Sequence, residues 1–378
     1  MWIGLESESS IKNFIRGDKM KNLIPDNPFF DRASEFSLKL RKRGISIAVI
    51  YGEKNQKGLA GWGCDNGILC IEAGQSAKRL KFYTDFRYIP AVKREAPWLK
   101  TADISRFNIR DFIPAKGFFK VGFEGSLSAC RYLELQRCFG RRAKFVDVEK
   151  DILKLRAVKT SLEIAKIAAA EALNVRIWEE SLKEFKPGMT EKDMQRIIRA
   201  FMNALGDGEA FETIVCVGAN AAECHHVPDD TVWRKGEPLL VDMGVKLDGY
   251  CSDMTRCVRS EEAGIKGVKY NEIYDLVLLA NRTAIAAVRP GMTGKELDSI
   301  ARKVIAKAGF GKCFGHALGH GVGLDIHELP TASKNSDMVL KPGMLVTIEP
   351  GIYLEGELGV RIEDLVLVTN DGCEVLSK

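Results

Sequence analysis

The segment Pro187-Gly188-Met189-Thr190 recurs 103 residues later as Pro290-Gly291-Met292-Thr293. Five further identities keep this offset: Lys192 with Lys295, Ile197 with Ile300, Arg199 with Arg302, Gly206 with Gly309, and Phe211 with Phe314. In each copy the threonine can cap a helix, with an acidic residue three positions later, Asp193 or Glu296. The repeat predicts two similar halves packed about a pseudo-twofold axis, each with two helices followed by antiparallel strands.

The repeat also relates two acidic residues. Gly236 lies six residues before Asp242, and Gly343 lies six residues before Glu349. Each acid ends an apolar run, and we therefore predict that each stands at the end of a buried strand. Burying a free charge is expensive, so both acids must be paired, hydrogen-bonded or bound to metal.

Two further acids follow at hairpin distances. Asp253 lies beyond a turn predicted at 247–249, and Glu363 lies beyond a turn predicted at 355–357. Folding back would bring Asp253 beside Asp242 and Glu363 beside Glu349. Four adjacent carboxylates repel one another unless cations lie between them. Oxygen ligands with one imidazole suit Mn(II), and Co(II), Fe(II) or Zn(II) would be tolerated.

All five histidines lie in two short segments, 225–226 and 316–327. Such grouping favours a functional role over isolated structural histidines. The helical zinc motif HExxH is excluded, because Ala317 follows His316 and the segment is rich in glycine. On an extended strand, His316 and His320 would share one face and direct both imidazoles to one site.

A chain of 378 residues predicts two domains. In residues 1–150, predicted strands alternate with predicted helices, which indicates an α/β domain. The strands are predicted at 45–51, 67–72, 80–84 and 121–124, and the helices at 35–43, 88–94 and 127–138. Residues 1–30 carry little pattern, and Met20 is an alternative start. A long helix is predicted over 152–185, ending at Lys186-Pro187-Gly188.

Charge and cysteine usage exclude several function classes. The net charge is +5 without a concentrated basic stripe, which argues against a nucleic-acid partner. The short basic cluster at 141–144 is expected on a solvated face. Neither a secretory signal nor an apolar run long enough for a membrane span is present. Ten cysteines without a CxxC pair argue against a zinc ribbon and favour the reducing cytoplasm.

Seven motifs in a fixed order resemble the pita-bread metallopeptidases, specifically aminopeptidase P and prolidase. They are HHVP, VDMG, GYCSDMTR, FGHALGHGVGLDIHELP, LKPGM, TIEPGIY and GVRIED. The resemblance covers about residues 153–370 strongly. It implies an α/β, creatinase-like domain at 1–150, followed at 151–378 by an α+β pita-bread domain with a curved antiparallel sheet.

The resemblance also implies roles for individual residues. The implied metal ligands are Asp242, Asp253, His320, Glu349 and Glu363. The implied catalytic or substrate-binding residues are His225, His316, His327, Arg361 and Glu349, with Glu349 as the base. Thr255 matches a residue that hydrogen-bonds the second aspartate. Cys224 departs from the proline that relatives often have before the first histidine.

The activity implied is hydrolysis of the N-terminal Xaa-Pro bond of peptides by a hydroxide bridging two metal ions. The expected partners are a peptide with proline second and another copy of the chain in a homodimer. Three alternatives stay open: Xaa-Pro dipeptidase (prolidase), another hydrolase of this fold, and a non-catalytic binding protein. The close spacing of Glu349 and Glu363 favours the proline-directed branch over methionine aminopeptidases.

Overall fold

The computed structural model describes residues 27–74, 80–108, 112, 116–261 and 265–378. Met20, the alternative start, lies outside the described residues. The chain divides into two compact units, Met1–Ile152 and Leu153–Lys378. The described α-helices are α1 Pro28–Lys42, α2 Glu53–Ala60, α3 Ile89–Glu95, α4 Ala129–Phe139, α5 Glu149–Ala157, α6 Ser161–Glu184, α7 Glu191–Leu205, α8 Ile265–Ala287 and α9 Gly294–Lys307. Among these helices, none combines the length and apolar character needed to cross a membrane.

The first unit contains a six-stranded mixed sheet of order β4-β3-β2-β1-β5-β6. Its strands are β1 Ile47–Ile50, β2 Ile68–Glu72, β3 Lys81–Thr84, β4 Lys100–Asp103, β5 Phe119–Phe123 and β6 Ala143–Asp147. Strand β1 runs parallel to β5, and β5 runs parallel to β6, whereas β2 is antiparallel to both of its neighbours. The predicted α/β character of this domain is confirmed.

The sequence prediction missed the two edge strands of this sheet, β4 and β6, and the short helix α2. An edge strand is only partly covered, so it lacks the continuous apolar run that marks a central strand. In β6, Lys144 is exposed and Phe145 is half-buried. The basic residues at 141–144 are therefore on the solvated side, as expected, although part of the segment is a strand.

The prediction of one helix over 152–185 is wrong, because the chain forms α5 and α6 with a break between them. Thr160 caps α6: its hydroxyl accepts from the Glu163 amide at 3.2 Å, and the Glu163 carboxylate accepts from the Thr160 amide at 2.8 Å. Val158 leaves the helical path and forms a β-bridge with Met344. The capping box was hidden within a run of strong helix formers.

Antiparallel pairing is the rule among the described strands of the second unit. These strands are β7 Ile214–Val217, β8 Leu239–Met243, β9 Lys246–Leu247, β10 Tyr250–Cys251, β11 Met254–Val258, β12 Gly319–Gly321, β13 Glu328–Ala332, β14 Leu345–Ile348, β15 Gly351–Leu354, β16 Leu358–Arg361, β17 Asp364–Val368 and β18 Cys373–Val375. One apolar core gathers residues of α6, α7 and β8, and a second gathers residues of α8, α9 and β14.

The internal repeat is confirmed as a structural repeat. Thr190 caps α7 and Thr293 caps α9, and both form complete capping boxes. The preceding glycines, Gly188 and Gly291, have φ angles of 99° and 90°. Only glycine adopts this conformation at low cost, which explains why the same turn residues occur twice.

The long helix of each half is also tied to the strand that carries the acid. Asn174 on α6 donates its side-chain amide to the Met243 carbonyl at 2.9 Å. Asn281 on α8 donates to the Ile348 carbonyl, also at 2.9 Å. Both asparagines are buried. Each bond therefore fixes the strand end next to Asp242 or Glu349.

Candidate metal centre

Four acidic side chains and one histidine of the second unit come together at strand ends. Asp242 lies in β8, and Asp253 immediately precedes β11, which pairs with β8. Glu349 follows β14, and Glu363 precedes β17, which pairs with β14. His320 is the middle residue of β12. Each half of the repeat thus brings two carboxylates to the group.

The potential ligand atoms lie within a few ångströms of one another. His320 Nε2 is 3.5 Å from Asp253 Oδ2 and 3.4 Å from Glu349 Oε1. Asp253, His320 and Glu363 each offer one atom within 4.8 Å of the other two. Asp242 Oδ1 is buried and has no hydrogen-bond partner. A buried carboxylate oxygen without a donor is costly, and a cation at this position would satisfy it.

Burial and mutual repulsion oppose the ionisation of three of these acids, Asp253, Glu349 and Glu363. Burial, followed by the charges of Glu363 and Asp242, raises the pKa of Asp253 well above its usual range. Burial and the charge of Glu349 do the same to the pKa of Glu363. Burial is also the main cause that raises the pKa of Glu349 to about 8. These acids can all be charged near neutral pH only if cations offset them.

His320 is held in the form that a metal needs. Burial, reinforced by the charge of His327, lowers the pKa of His320 to about 4, so the imidazole is neutral. Its Nδ1 lies 3.1 Å from the Gly321 carbonyl, which can only accept, so Nδ1 carries the proton. The Nε2 lone pair is then directed at the carboxylates. A backbone acceptor that fixes the tautomer in this way is typical of metal-binding histidines.

These groups fit divalent cations. The donors are carboxylate oxygens and one imidazole nitrogen, a set suited to ions of intermediate hardness. Thr347 supports two of them, since its hydroxyl contacts Glu349 Oε1 at 3.2 Å and accepts from the His320 amide at 3.0 Å. The sequence prediction did not include Thr347, whose only signal is its place in the apolar strand before Glu349.

Arg361 joins the two halves of the site. Its guanidinium donates to Asp242 Oδ2 at 2.7 Å, to the Thr255 hydroxyl at 3.0 Å and to the Tyr353 hydroxyl at 2.9 Å. Thr255 in turn donates to Glu363 Oε2 at 2.7 Å, rather than to the second aspartate as expected. The difference arises because Thr255 pairs with Asp242 across the ladder and so faces the opposite hairpin.

His316 is connected to Arg361 through Tyr353. The Tyr353 hydroxyl accepts from Arg361 and donates to His316 Nε2 at 2.9 Å. His316 Nδ1 donates to the Ala317 carbonyl at 2.7 Å, and burial lowers the pKa of His316 to about 4. The residue lies before β12, not on it, so the predicted shared strand face with His320 is wrong. Its ring nevertheless approaches Glu349, with Nδ1 3.9 Å from Oε2.

The other histidines occupy different positions. His327 stacks edge-on against His320, with ring centroids 4.2 Å apart. His225 is exposed. A charge on it would add slightly to burial, the main cause that lowers the pKa of His316. His226 points elsewhere, because its Nε2 lies 2.7 Å from Glu191.

Two further supporting residues, besides Thr347, were absent from the sequence prediction. Tyr353 is one, although the motif TIEPGIY contains it. Glu171 is the other: it is fully buried on α6, accepts from the Asp253 amide at 3.0 Å and accepts from the Ser377 hydroxyl at 2.7 Å. Burial raises the pKa of Glu171 to about 7. A single acid within the apolar run KIAAAEALNV was the available signal.

Both units of the chain match models of known protein families. Residues 165–370 match the family model for metallopeptidase family M24, and residues 32–158 match the creatinase/prolidase N-terminal domain. An uncharacterized peptidase of Staphylococcus saprophyticus is 43% identical over 266 residues, covering 68% of this chain and 75% of the relative. The uncharacterized peptidase YqhT of Bacillus subtilis is 33% identical over 334 residues, covering 87% of this chain and 92% of the relative.

Solved structures agree with this assignment. An Xaa-Pro dipeptidase from Bacillus anthracis superposes with a TM-score of 0.85 at 32% identity, covering 93% of this chain and 98% of that one. An X-Pro aminopeptidase from Thermotoga maritima gives 0.79 at 31% identity, covering 90% and 97%. The prolidase from Pyrococcus furiosus gives 0.81 at 32% identity, covering 90% and 99%. The expected pita-bread fold is confirmed.

Proposed function

The chain belongs to metallopeptidase family M24, and we propose that it removes the N-terminal residue from peptides whose second residue is proline. It is a hydrolase, and the proposal concerns which peptide bond it cuts. The observation that carries metal-dependent hydrolysis is the convergence of Asp253, Glu349 and Glu363 on one neutral imidazole, that of His320. Solved neighbours described as Xaa-Pro peptidases support the proline preference.

We assign the metal ligands to five residues: Asp242, Asp253, His320, Glu349 and Glu363. Two divalent ions bound there would supply a water of lowered pKa near the substrate carbonyl. The mixture of four carboxylates and one imidazole favours Mn(II), with Co(II), Fe(II) and Zn(II) as alternatives. The unpartnered Asp242 Oδ1 supports this assignment.

Glu349 is the proposed base. Its carboxylate stands 3.4 Å from His320 Nε2 and is oriented by the Thr347 hydroxyl. It would take the proton of the attacking water and pass it to the proline nitrogen as that nitrogen leaves. His327, exposed beside His320, would donate to the oxygen on which negative charge develops.

The remaining proposed residues orient these groups. Arg361 holds Asp242 directly and Glu363 through Thr255. Since its guanidinium already has three partners, its proposed task is support rather than capture of a substrate carboxylate. His316 and His225 would line the substrate path, with the orientation of His316 fixed by Tyr353.

An Xaa-Pro dipeptidase is the second candidate, because the Bacillus anthracis neighbour is described as one. The experiment uses chelator-treated protein with Mn(II) restored and compares Ala-Pro, Ala-Pro-Ala and the proline-free control Ala-Ala-Ala. Efficient release of alanine from Ala-Pro-Ala is the predicted result. Cleavage of Ala-Pro alone would establish the dipeptidase instead. Equal cleavage of Ala-Ala-Ala, or no metal-dependent cleavage, would contradict the proline specificity.

We further propose a homodimer in the cytoplasm, with no nucleic-acid partner. All ten cysteines are free thiols, which fits a reducing compartment. Phe86 and Phe118 of the first unit are 77% and 86% exposed, and a second copy would cover apolar surface of this kind. Sedimentation analysis tests the dimer: a mass near 42.0 kDa, that of one chain, would contradict it.

A further inference from the structure

Glu191, the first residue of α7, is completely buried outside the metal centre. Its Oε1 accepts from the Val217 amide at 2.7 Å and from the Asn220 side chain at 2.9 Å. Its Oε2 accepts from the Asp229 amide at 3.0 Å and contacts His226 Nε2 at 2.7 Å. A buried carboxylate with four donors is strongly anchored, and it stands at a helix N-terminus that favours its negative charge.

All four donors belong to one stretch of chain, residues 217–229. This stretch contains His225, which the proposed function places on the substrate path. His226 turns inward to Glu191 and its side chain is only 9% exposed, whereas the neighbouring His225 is exposed. The two adjacent histidines therefore differ in role: His226 anchors the loop, whereas the side chain of His225 is exposed to solvent.

The opposite side of the loop is also held. The Ala221 carbonyl lies so close to Gly359 on β16 that a Cβ built there would be 1.7 Å from the oxygen. Strand β16 ends at Arg361, the residue that supports Asp242. The loop is thus confined between the N-terminus of α7 and the strand leading into the metal centre.

The second half of the repeat has no such acid. Gly294 takes the place of Glu191 at the start of α9, and both backbone amides make the matching bond, to Thr231 and Met338. A Cβ built on Gly294 would lie 2.1 Å from the Thr331 carbonyl, so the chain itself fills that space. The helix start therefore does not require an acid, and the hydrogen bonds of Glu191 hold the loop at 217–229 instead.

We propose that Glu191, acting through His226 and the loop at 217–229, is a positioning residue for His225. The inference rests on the proposed function, which gives His225 its role at the substrate. Glu191, His226 and Asp229 also lie close enough to suggest a metal site. However, both oxygens of Glu191 already accept two hydrogen bonds each, so the carboxylate acts as an anchor.

Glu191→Gln tests the anchor with little change in volume. The new amide nitrogen must face either the Val217 or the Asp229 backbone N–H, so one buried donor loses its acceptor. We expect kcat/KM for Ala-Pro-Ala to fall about tenfold, as for a small misplacement of a catalytic group. In a His225→Ala background, the same substitution should cost less than about twofold, because the group it positions is gone.

Glu163→Gln is the matched control. Glu163 is also a buried glutamate in the first turn of a helix, but it caps α6. It should lower the melting temperature without lowering kcat/KM by more than about twofold. Metal content should stay unchanged in both variants. Equal losses of kcat/KM in the two variants, or an additive loss in the His225→Ala background, would overturn the positioning role.

A second readout does not depend on activity. The chain has only five histidines, so the imidazole C–H resonances of the Zn(II)-loaded protein are few enough to assign by NMR. Glu191→Gln should shift the resonances of His225 and His226 and leave those of His316, His320 and His327 in place. Unmoved His225 resonances would overturn the inference even in an active enzyme. If no peptide is cleaved, the proposed function fails, while these shifts still decide whether Glu191 positions His225.

Discussion

The two halves of the repeat share a scaffold, and they differ in the contacts that several matching residues make. Each half begins with a glycine turn and a capping threonine, Thr190 or Thr293. Each ties its long helix to the strand beside its acid through a buried asparagine, Asn174 or Asn281. The shared features thus position one acid-bearing strand end in each half. Because the halves are duplicated, the site contains two such strand ends, one from each half.

Residues at matching positions of the two halves differ in their contacts, and only the residue of the second half contacts a histidine. Arg199 and Arg302 correspond in the repeat, but Arg199 pairs with Glu209 near the surface. Arg302 instead donates to the carbonyls of Phe314 and His316 at 2.7 and 2.8 Å. Shared positions therefore build the fold, and diverged positions orient the active-site side chains.

The largest effect is expected at Glu349, the acid that follows strand β14 of the second half. Glu349→Gln keeps the shape but removes the charge and the proposed base, so kcat should fall about 10²–10⁴-fold. Steady-state hydrolysis of Ala-Pro-Ala measures it. Glu296→Gln is the control, because Glu296 belongs to the same half but only caps α9. A Glu349→Gln enzyme with unchanged kcat would remove Glu349 from the reaction.

A smaller effect should separate the matched arginines. Arg302→Lys loses the planar fork that contacts Asp298 and the Phe314 and His316 carbonyls together, so His316 should shift and kcat/KM should fall about tenfold. Arg199→Lys should change kcat/KM less than about twofold, since its surface ion pairs contribute little. Parallel assays of the two variants measure the contrast. Equal losses would mean that the two positions are not functionally different.

Metal removal should destabilise the protein in a pH-dependent way. Without metal, the pKa of Glu349 is about 8, above its ordinary value of 4.5. The folded state therefore holds a proton that the unfolded state releases, and stability falls as pH rises through that window. The melting temperature of chelated protein should be lower near pH 8 than near pH 5.5.

Restoring Mn(II) at about a hundred times its Kd should recover about 2.7 kcal/mol. Chelated Glu349→Gln protein is the control, and its melting temperature should depend less steeply on pH. A pH dependence as steep in Glu349→Gln as in the unaltered chain would assign the effect to other groups.

The smallest effect is expected on the free energy of unfolding, at the two asparagines that have matching roles in the two halves. Asn174→Ala removes one buried hydrogen bond, to the Met243 carbonyl, and Asn281→Ala removes the matching bond to the Ile348 carbonyl together with a longer one of 3.4 Å to the Ile362 carbonyl. Each substitution should cost about 1–2 kcal/mol. Urea unfolding of the two variants measures both values. A cost in one variant that exceeds the other by more than about 2 kcal/mol would contradict equivalent roles in the two halves.

Much of this architecture could be predicted from local patterns. The PGMT turns, the capping boxes and the turn at 247–249 depend on neighbouring residues, and in that turn Asp248 and Gly249 both have positive φ, as a tight hairpin requires. The strand-end positions of Asp242 and Glu349 follow from the apolar runs before them. The family motifs then supplied roles that spacing alone leaves open.

The remainder depends on contacts between distant segments. Thr255 donates to Glu363 because two hairpins meet, and nothing near Thr255 in the sequence encodes that partner. Glu171 and Tyr353 likewise gain their roles from distant residues, Asp253 for Glu171 and His316 for Tyr353. The break before α6 was missed for a different reason, since strong helix formers surround the Thr160 cap.

Anomalous diffraction from crystals soaked in Mn(II) would locate the proposed metal ions. We expect two peaks about 3.5–4 Å apart. They should lie among the five proposed ligands, which come from both halves of the repeat: Asp242, Asp253, His320, Glu349 and Glu363. An absence of peaks there, or a peak only at the cluster of Glu191, His226 and Asp229, would contradict the account.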